Sequence, residues 1–305
     1  MALPALGRLW VDLSWFEELG HPDVLLLPLY AKVGLGLVTG VLAFALIGGN
    51  AWLALRLSRD AEGMGPLFFG EGDAVELDLS KIVGRVALPL TAFVSVLIGL
   101  SGSAQWQEWL MLRHGRPFGE VDPIFSRDVG FYVFTLPFLD HIFAVTFASL
   151  VCALAFTALT HAGRGAIALR GGKLVIQASA RWHLSIVGAL VFVVLAYGAW
   201  LSSAHIVLEQ AGRVAGAGYA DVHARLPAIR AHLAIALVGA VMLALSATRT
   251  RYVLVFAAIG LYVAVGALGR GLYPAMIQTY LVEPNELERE RPYLTYEIAA
   301  TRSAF

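Results

Sequence analysis

With 305 residues, 58% hydrophobic and 14% charged, the chain carries about half the charge an ordinary globular domain needs to cover its surface. Its mean hydropathy is +0.72, and the charges are clustered, leaving apolar runs long enough to cross a bilayer. Zero net charge gives no basic field for nucleic acid, and a single cysteine, Cys152, excludes an intrachain disulfide.

In chain order, residues 1–27 alternate Trp10, Trp15, Phe16 and Leu19 with Asp12, Glu17 and Glu18, which suits a short interfacial helix broken near His21-Pro22. A basic start, an apolar core and a small-residue cleavage site are missing, so no cleavable signal peptide is expected. The first span is expected over 28–55, with Lys32 snorkelling at its start and a Gly36/Gly40 pair permitting close helix contact. A loop follows to Lys81. Its acids Asp60, Glu62, Glu71, Asp73, Glu76 and Asp78 lack the spacing of a calcium loop and read as a solvated segment. Residues 74–85 read as an amphipathic surface helix. The second span covers 86–104, with Pro89 tolerated near its start. Trp106 and Trp109 mark an interface.

Residues 118–141, FGEVDPIFSRDVGFYVFTLPFLDH, form the most distinctive connection. Asp122-Pro123 starts a turn; the GFYVFTLPF run could be a short extended piece ended at Leu136-Pro137. Asp122 and Asp128 are expected to hold the turn and contact Arg127, with the aromatic rings, Tyr132 among them, packing on helix ends. The third span covers 138–160. Asp140 and His141 begin it, where a carboxylate favours a helix N-terminus; neighbours on a helix diverge by about 100° and cannot clamp one ion alone. The all-basic loop 161–183, the fourth span 184–204, a Gly/Ala-rich connector 209–230, the fifth span 231–247, a Thr-Arg-Thr-Arg turn and the sixth span 252–268 follow. Arg270, Tyr273 and Pro274 are expected to end the sixth span. The expected fold is therefore an all-α polytopic bundle of about six transmembrane helices plus interfacial helices: 1–27 interfacial, 28–270 membrane bundle, 271–305 polar and extracytoplasmic.

Both termini then share a side. The raw count of Lys and Arg does not choose it, at ten against twelve of the 22. The basic density of 161–183 and of the Thr-Arg-Thr-Arg turn places those loops, with 56–85, in the cytoplasm and both termini outside.

No Asp, Glu, Lys or Arg falls within 33–55, 86–107, 142–163, 184–208, 231–248 or 252–269. Charged groups deep in the bilayer usually mark ion or proton routes, so their absence counts against a proton-coupled pump or voltage sensor. His141, His205 and His232 lie near span ends and are weak candidates to ligate a haem or chlorin-type pigment; none sits in a diagnostic frame. Asp140, His141 and His205 are the weak ligand candidates overall. No catalytic or metal residues are assigned, and no motif indicates a cofactor. The phosphate loop, zinc-protease, nucleophile-elbow and dinucleotide fingerprints are all missing.

Three segments, WVDLSWFEELGHPDVLLLPLYAKVGLGL (10–37), PFGEVDPIFSRDVGFYVFTLPFL (117–139) and ERPYLTYEIAATRSAF (290–305), resemble uncharacterised protein family 0182, large bacterial multi-pass membrane proteins. Asp122, Pro123, Arg127, Asp128, Tyr132 and Pro137 lie in the most specific of them. Members usually have one more span before the Trp-Phe-Glu region and continue past the Thr-Arg segment into a large extracytoplasmic region. The resemblance implies a bacterial inner-membrane location, with this chain as the membrane half, and carries no catalytic residues over.

Three function classes remain open: a structural or accessory subunit contacting the bilayer and other membrane subunits; a transporter or channel for a neutral or lipid-like solute, lined by Asn50, Ser95, Ser101, Ser103 and Thr157; and a membrane enzyme using Asp122, Arg127, Asp128, Asp140 and His141. The first is preferred, because the spans are free of charge and rich in small residues. No pair of interrupted helices in corresponding positions is evident, which weakens the second. Ser and Thr hydroxyls can also be spent on their own helix carbonyls.

Overall fold

The computed structural model describes residues 2–59, 61, 67–69, 75–77, 79–209, 216–248 and 252–304. Most of the acidic cluster of the first loop, and residues 249–251 of the Thr-Arg-Thr-Arg turn, lie outside them; Glu76 lies within. Helix α1 (Ala2–Glu18) turns at Gly20 (φ 72°) into α2 (Asp23–Leu57). A small hairpin, β1 (Leu67–Phe69) with β2 (Val75–Leu77), leads to α3 (Leu79–Ala104) and the short α4 (Trp106–His114). Next come α5 (Leu136–Gly163), the hairpin β3 (Ile167–Arg170) and β4 (Lys173–Ile176), α6 (Ala178–His205), α7 (Leu226–Ser246), α8 (Val253–Ala267), α9 (Tyr273–Ile277) and α10 (Glu286–Ala304). Among the described residues six helical runs are long and apolar enough to cross a membrane. In hydrocarbon a continuous helix is the means by which one segment satisfies its own backbone. We call the face carrying α1, α4 and α10 the cap face, and the opposite one the hairpin face.

Several sequence expectations are corrected. The 74–85 segment is not one helix: Val75–Leu77 is strand, and α3 starts at Leu79. Pro89 therefore lies in the interior of α3. The carbonyl it leaves free, that of Arg85, sits in an exposed, charged stretch of the helix. The GFYVFTLPF run is not extended; Phe131–Thr135 is a π-helical turn continuous with α5. The helix of the sixth span does not stop at Pro274: the helical run continues through α9 into the polar α10.

One device explains these prolines. Four π-helical turns among the described residues, Phe131–Thr135, Asp221–Arg225, Leu268–Leu272 and Gln278–Val282, are each followed two residues later by a proline: Pro137, Pro227, Pro274 and Pro284. In each the residue before proline donates its N–H five residues back, as Leu136 does to Phe131 O and Leu226 to Asp221 O. The wider turn moves the i−4 carbonyl away from the ring that would otherwise strike it. The starts of α5 and α7 are thus built alike, a correspondence invisible in the residues themselves.

Helix α2 packs on α3 and α5, α5 on α6, α6 on α7, and α7 on α8. Gly36 and Gly40 of α2 meet Gly99 of α3, so the glycine pair marks a contact within the chain. A Cβ at Gly99 would stand 2.8 Å from Gly36 O and 3.0 Å from Gly40 Cα, both backbone atoms that cannot turn aside. Gly99→Val is therefore expected to cost about 1–3 kcal/mol of overpacking in thermal unfolding of the detergent-purified chain. Gly49→Val, where nothing lies within 4 Å, should be nearly silent.

The interior is a string of small clusters, such as Ala43, Ile47, Ala153 and Val187, and Ala189, Phe192, Ala240, Leu243 and Ala258. Only Ala258 of α8 is buried, whereas Val253, Phe256 and Val263 are exposed. Such faces are stable against lipid or another apolar surface.

Candidate functional site

On the cap face, residues 115–130 fold around two carboxylates. Val121 and Asp128 form an antiparallel bridge, closed by Asp122 N–H to Arg127 O (2.8 Å) and Val129 N–H to Glu120 O (2.9 Å). Pro123 makes the turn, and Ser126 takes a left-handed φ of 54°. Asp122 Oδ1 accepts the N–H of Ile124 (2.9 Å) and Phe125 (2.7 Å); Oδ2 accepts the N–H of Arg127 (2.9 Å) and the hydroxyl of Tyr132 (2.8 Å). Burial alone would raise the Asp122 pKa, but these four donors together hold it below the usual aspartate value. Asp128 accepts from the N–H groups of Phe118 (3.0 Å), Gly119 (2.9 Å) and Gly130 (2.7 Å), which hold its pKa low as well. Gly130 is required there, since a Cβ would lie 2.8 Å from Asp128 Oδ1 and 2.9 Å from Arg116 O.

Arg127 contacts Asp122 through its backbone N–H, while its side chain pairs with neither acid. Its guanidinium lies over the rings of Phe131 (4.7 Å) and Trp200 (5.3 Å). Ile124 and Phe125 plug into a cluster of Ala199, Ile206, Ala217, Leu226 and Ile229, and Tyr132 joins Leu136, Leu201 and Ala204. The turn is thereby keyed between α5, α6 and α7.

Asp140 does not cap its helix; its carboxylate accepts from His205 Nε2 at 2.8 and 3.0 Å. His141, its neighbour, packs beside Phe138 and lines a cleft between α2, α4 and α5. Asp122 and Asp128 sit together in the turn, while Asp140, His141 and His205 occupy the adjoining helix ends. Arg225 bridges Glu209 and Asp221, and Asp221 accepts Gly218 N–H (3.1 Å). Glu290 accepts the N–H of Tyr219 with both oxygens (3.1 Å each), and Arg289 reaches the Tyr219 hydroxyl (3.2 Å), so α10 is tied to the cap. Asp122, Asp128, Asp221 and Glu290 thus hold backbone N–H groups in place.

The second polar centre went unrecognised in sequence. His161, in the last turn of α5, and His183, early in α6, are 0% and 2% exposed. Ser58 Oγ lies 2.6 Å from His161 Nδ1, His161 Nε2 lies 3.2 Å from His183 Nδ1, and His183 Nε2 lies 2.9 Å from Asn50 Oδ1. The Asn50 amide donates to Leu46 O (2.6 Å), which leaves its oxygen as acceptor. For neutral rings this fixes every proton. His183 Nε2–H donates to Asn50, His161 Nε2–H to His183 Nδ1, and the Ser58 hydroxyl to His161 Nδ1. One directional chain therefore ties α2, α5 and α6 at the hairpin face. The available signal was that a histidine opens and another closes the segment 161–183. Its Gly171-Gly172 pair, at φ 57° and 74°, makes the two-residue turn of a hairpin with Arg170 opposite Lys173. That closure brings the segment's ends together.

Of the other span hydroxyls, Ser95, Ser101 and Ser103 are spent on Thr91, Ile98 and Leu100 carbonyls, and Thr157 is buried without a partner. His232 packs against Tyr262 with ring centroids 4.2 Å apart and planes tilted by 31°. Among the described residues no three His, Cys, Asp or Glu side chains gather to hold a metal.

The family profile described as "Uncharacterised protein family (UPF0182)" matches residues 1–305. A UPF0182 protein of Streptomyces coelicolor is 32% identical over 310 residues, covering 100% of this chain and 31% of the relative. One of Geobacter sulfurreducens is 35% identical over 314 residues, covering 100% and 35%, and one of Salinispora tropica 33% over 304, covering 97% and 30%. The chain spans about a third of the length of these curated relatives. No solved structure matches.

Proposed function

Because the chain belongs to the uncharacterised protein family UPF0182, we propose that it is the inner-membrane anchor of a larger bacterial assembly, with the cap face extracytoplasmic. The observation that carries this reading is the occupancy of the cap's acids: Asp122, Asp128, Asp221 and Glu290 each accept backbone N–H groups. A surface so internally bonded resists deformation and suits a platform on which another domain or subunit rests. The two faces differ in the same sense, a bonded cap against two small hairpins among the described residues. The exposed apolar faces of α3 and α8 offer contact to lipid and to neighbouring membrane subunits. Mild solubilisation of the natural full-length protein from its own membrane tests this. A fixed-stoichiometry complex is expected by native mass spectrometry; a monodisperse lone protein would refute the anchor role.

A further inference from the structure

A cleft of about 700 Å³ runs between α2, α4 and α5. Tyr30, Trp109 and His141 stand near its cap-face end, and its walls are otherwise mainly aliphatic and aromatic. Ser149 lines it deep in α5 and is 1% exposed, yet its hydroxyl has no partner. Among the buried hydroxyls of the described residues only Thr157 of the same helix shares this, and Thr157 does not line the cleft. The hydroxyls of Thr91, Ser95, Ser101, Ser103, Ser202 and Ser203 all donate to a carbonyl of their own helix. A buried, unpaired hydroxyl in hydrocarbon is costly, and on a residue that lines a cleft it leaves a donor for an acceptor supplied from outside.

The depth restricts that acceptor. Ser149 lies eight residues past His141 at the cleft's cap-face end, about 12 Å along the axis at 1.5 Å per residue, in a hydrocarbon layer about 30 Å thick. A phospholipid keeps its ester oxygens and headgroup at the interface, so its acyl chain would leave Ser149 unpaired. Thr146, one turn nearer the mouth, also lines the cleft, which places two hydroxyl-bearing residues about 5–6 Å apart on one helix face. No Asp, Glu, Lys or Arg lines it, so a charged ligand would find no counter-charge there. A second cleft, of about 650 Å³ between α2 and α3, has its serines Ser95 and Ser103 already bonded internally and makes no such demand.

We propose that the α2/α4/α5 cleft binds a neutral lipid-soluble molecule whose flat, carbonyl-bearing head lies against Thr146 and Ser149, a quinone-type lipid being the chemical class that fits. Its apolar tail extends along α2 and α5 into the bilayer. The natural full-length protein in phosphatidylcholine nanodiscs would be labelled with a tailed benzoquinone carrying a diazirine, and the adducts mapped by mass spectrometry. Adducts are expected on residues 138–149 and 30–46, and should be displaced by unlabelled tailed benzoquinone. Ser149→Ala should lower the displaceable yield about two- to tenfold, the worth of one hydrogen bond, without changing elution or melting. Val145→Trp, which fills the cleft, should abolish it. Adducts spread equally over α3 and α8 and not displaced would overturn the proposal. So would an unchanged displaceable yield in folded Ser149→Ala: the first result means the cleft holds bulk lipid alone, the second that Ser149 donates nothing to the bound head.

Discussion

Asp122→Ala is expected to unfold the cap while leaving the spans helical. The substitution strands the N–H groups of Ile124, Phe125 and Arg127 and the hydroxyl of Tyr132, around a side chain only 6% exposed. Each buried donor left unpaired costs about 1–3 kcal/mol, and some will find water, so the expected loss is about 3–5 kcal/mol. Hydrogen exchange should show protection lost across 118–135 and retained in α6. Asp122→Asn keeps one acceptor oxygen and should lose less. Acid should act in the same direction. The folded pKa lies below the 3.8 of a free aspartate, so the carboxylate's stabilisation is complete above that value and disappears as pH falls through the lower, folded one. Cap protection unchanged in both Asp122→Ala and acid would mean the carboxylate does not organise the turn.

His183→Leu is expected to be the most damaging single change at the hairpin face. It leaves His161 Nε2–H and Asn50 Oδ1 facing an aliphatic side chain, where an unsatisfied polar group costs several kcal/mol. Interhelical hydrogen bonds within membranes are themselves worth only about 0.6–2 kcal/mol each. The orphaned partners should therefore dominate, with a total of about 2–4 kcal/mol. The double variant His161→Leu/His183→Leu removes the facing pair together and should cost less than the sum of the single changes, with a coupling of about 0.5–3 kcal/mol. Thermal unfolding of all four proteins in one detergent measures it. Strict additivity would show that the two rings do not act as one chain.

The spans were legible because hydrophobic length is a property of consecutive residues, and the Asp122-Pro123 turn because its chemistry is local. Helix interruptions were not: Leu136-Pro137 looked like a stop, since proline's rule concerns its own N–H and the i−4 carbonyl. The π-helical turn that accommodates both depends on the backbone of the preceding five residues. Val75–Leu77 read as helix because three apolar-alternating residues suit either structure until a partner strand selects one. The histidine chain was hidden more deeply. Ser58 caps α2, Asn50 lies within it, and His161 and His183 come from α5 and α6; Asn50 stood out only as an uncharged polar residue of a span, and the other three resemble ordinary residues at span ends. Ser149 was equally silent, because only the structure distinguishes a hydroxyl bonded to its own helix from one left unpaired.

Sidedness underlies the anchor reading and can be measured directly. In a Cys152→Ala background, single cysteines at Glu120 and Leu208 on the cap face, and at Lys173 and Leu174 on the hairpin face, would be treated with a membrane-impermeant maleimide in intact cells, with the outer membrane made permeable where there is one. All four positions are exposed. Labelling at 120 and 208, with 173 and 174 reacting only once the inner membrane is breached, is the predicted result. The reverse pattern would place the cap in the cytoplasm, and labelling of all four from one side would contradict the six-span bundle itself.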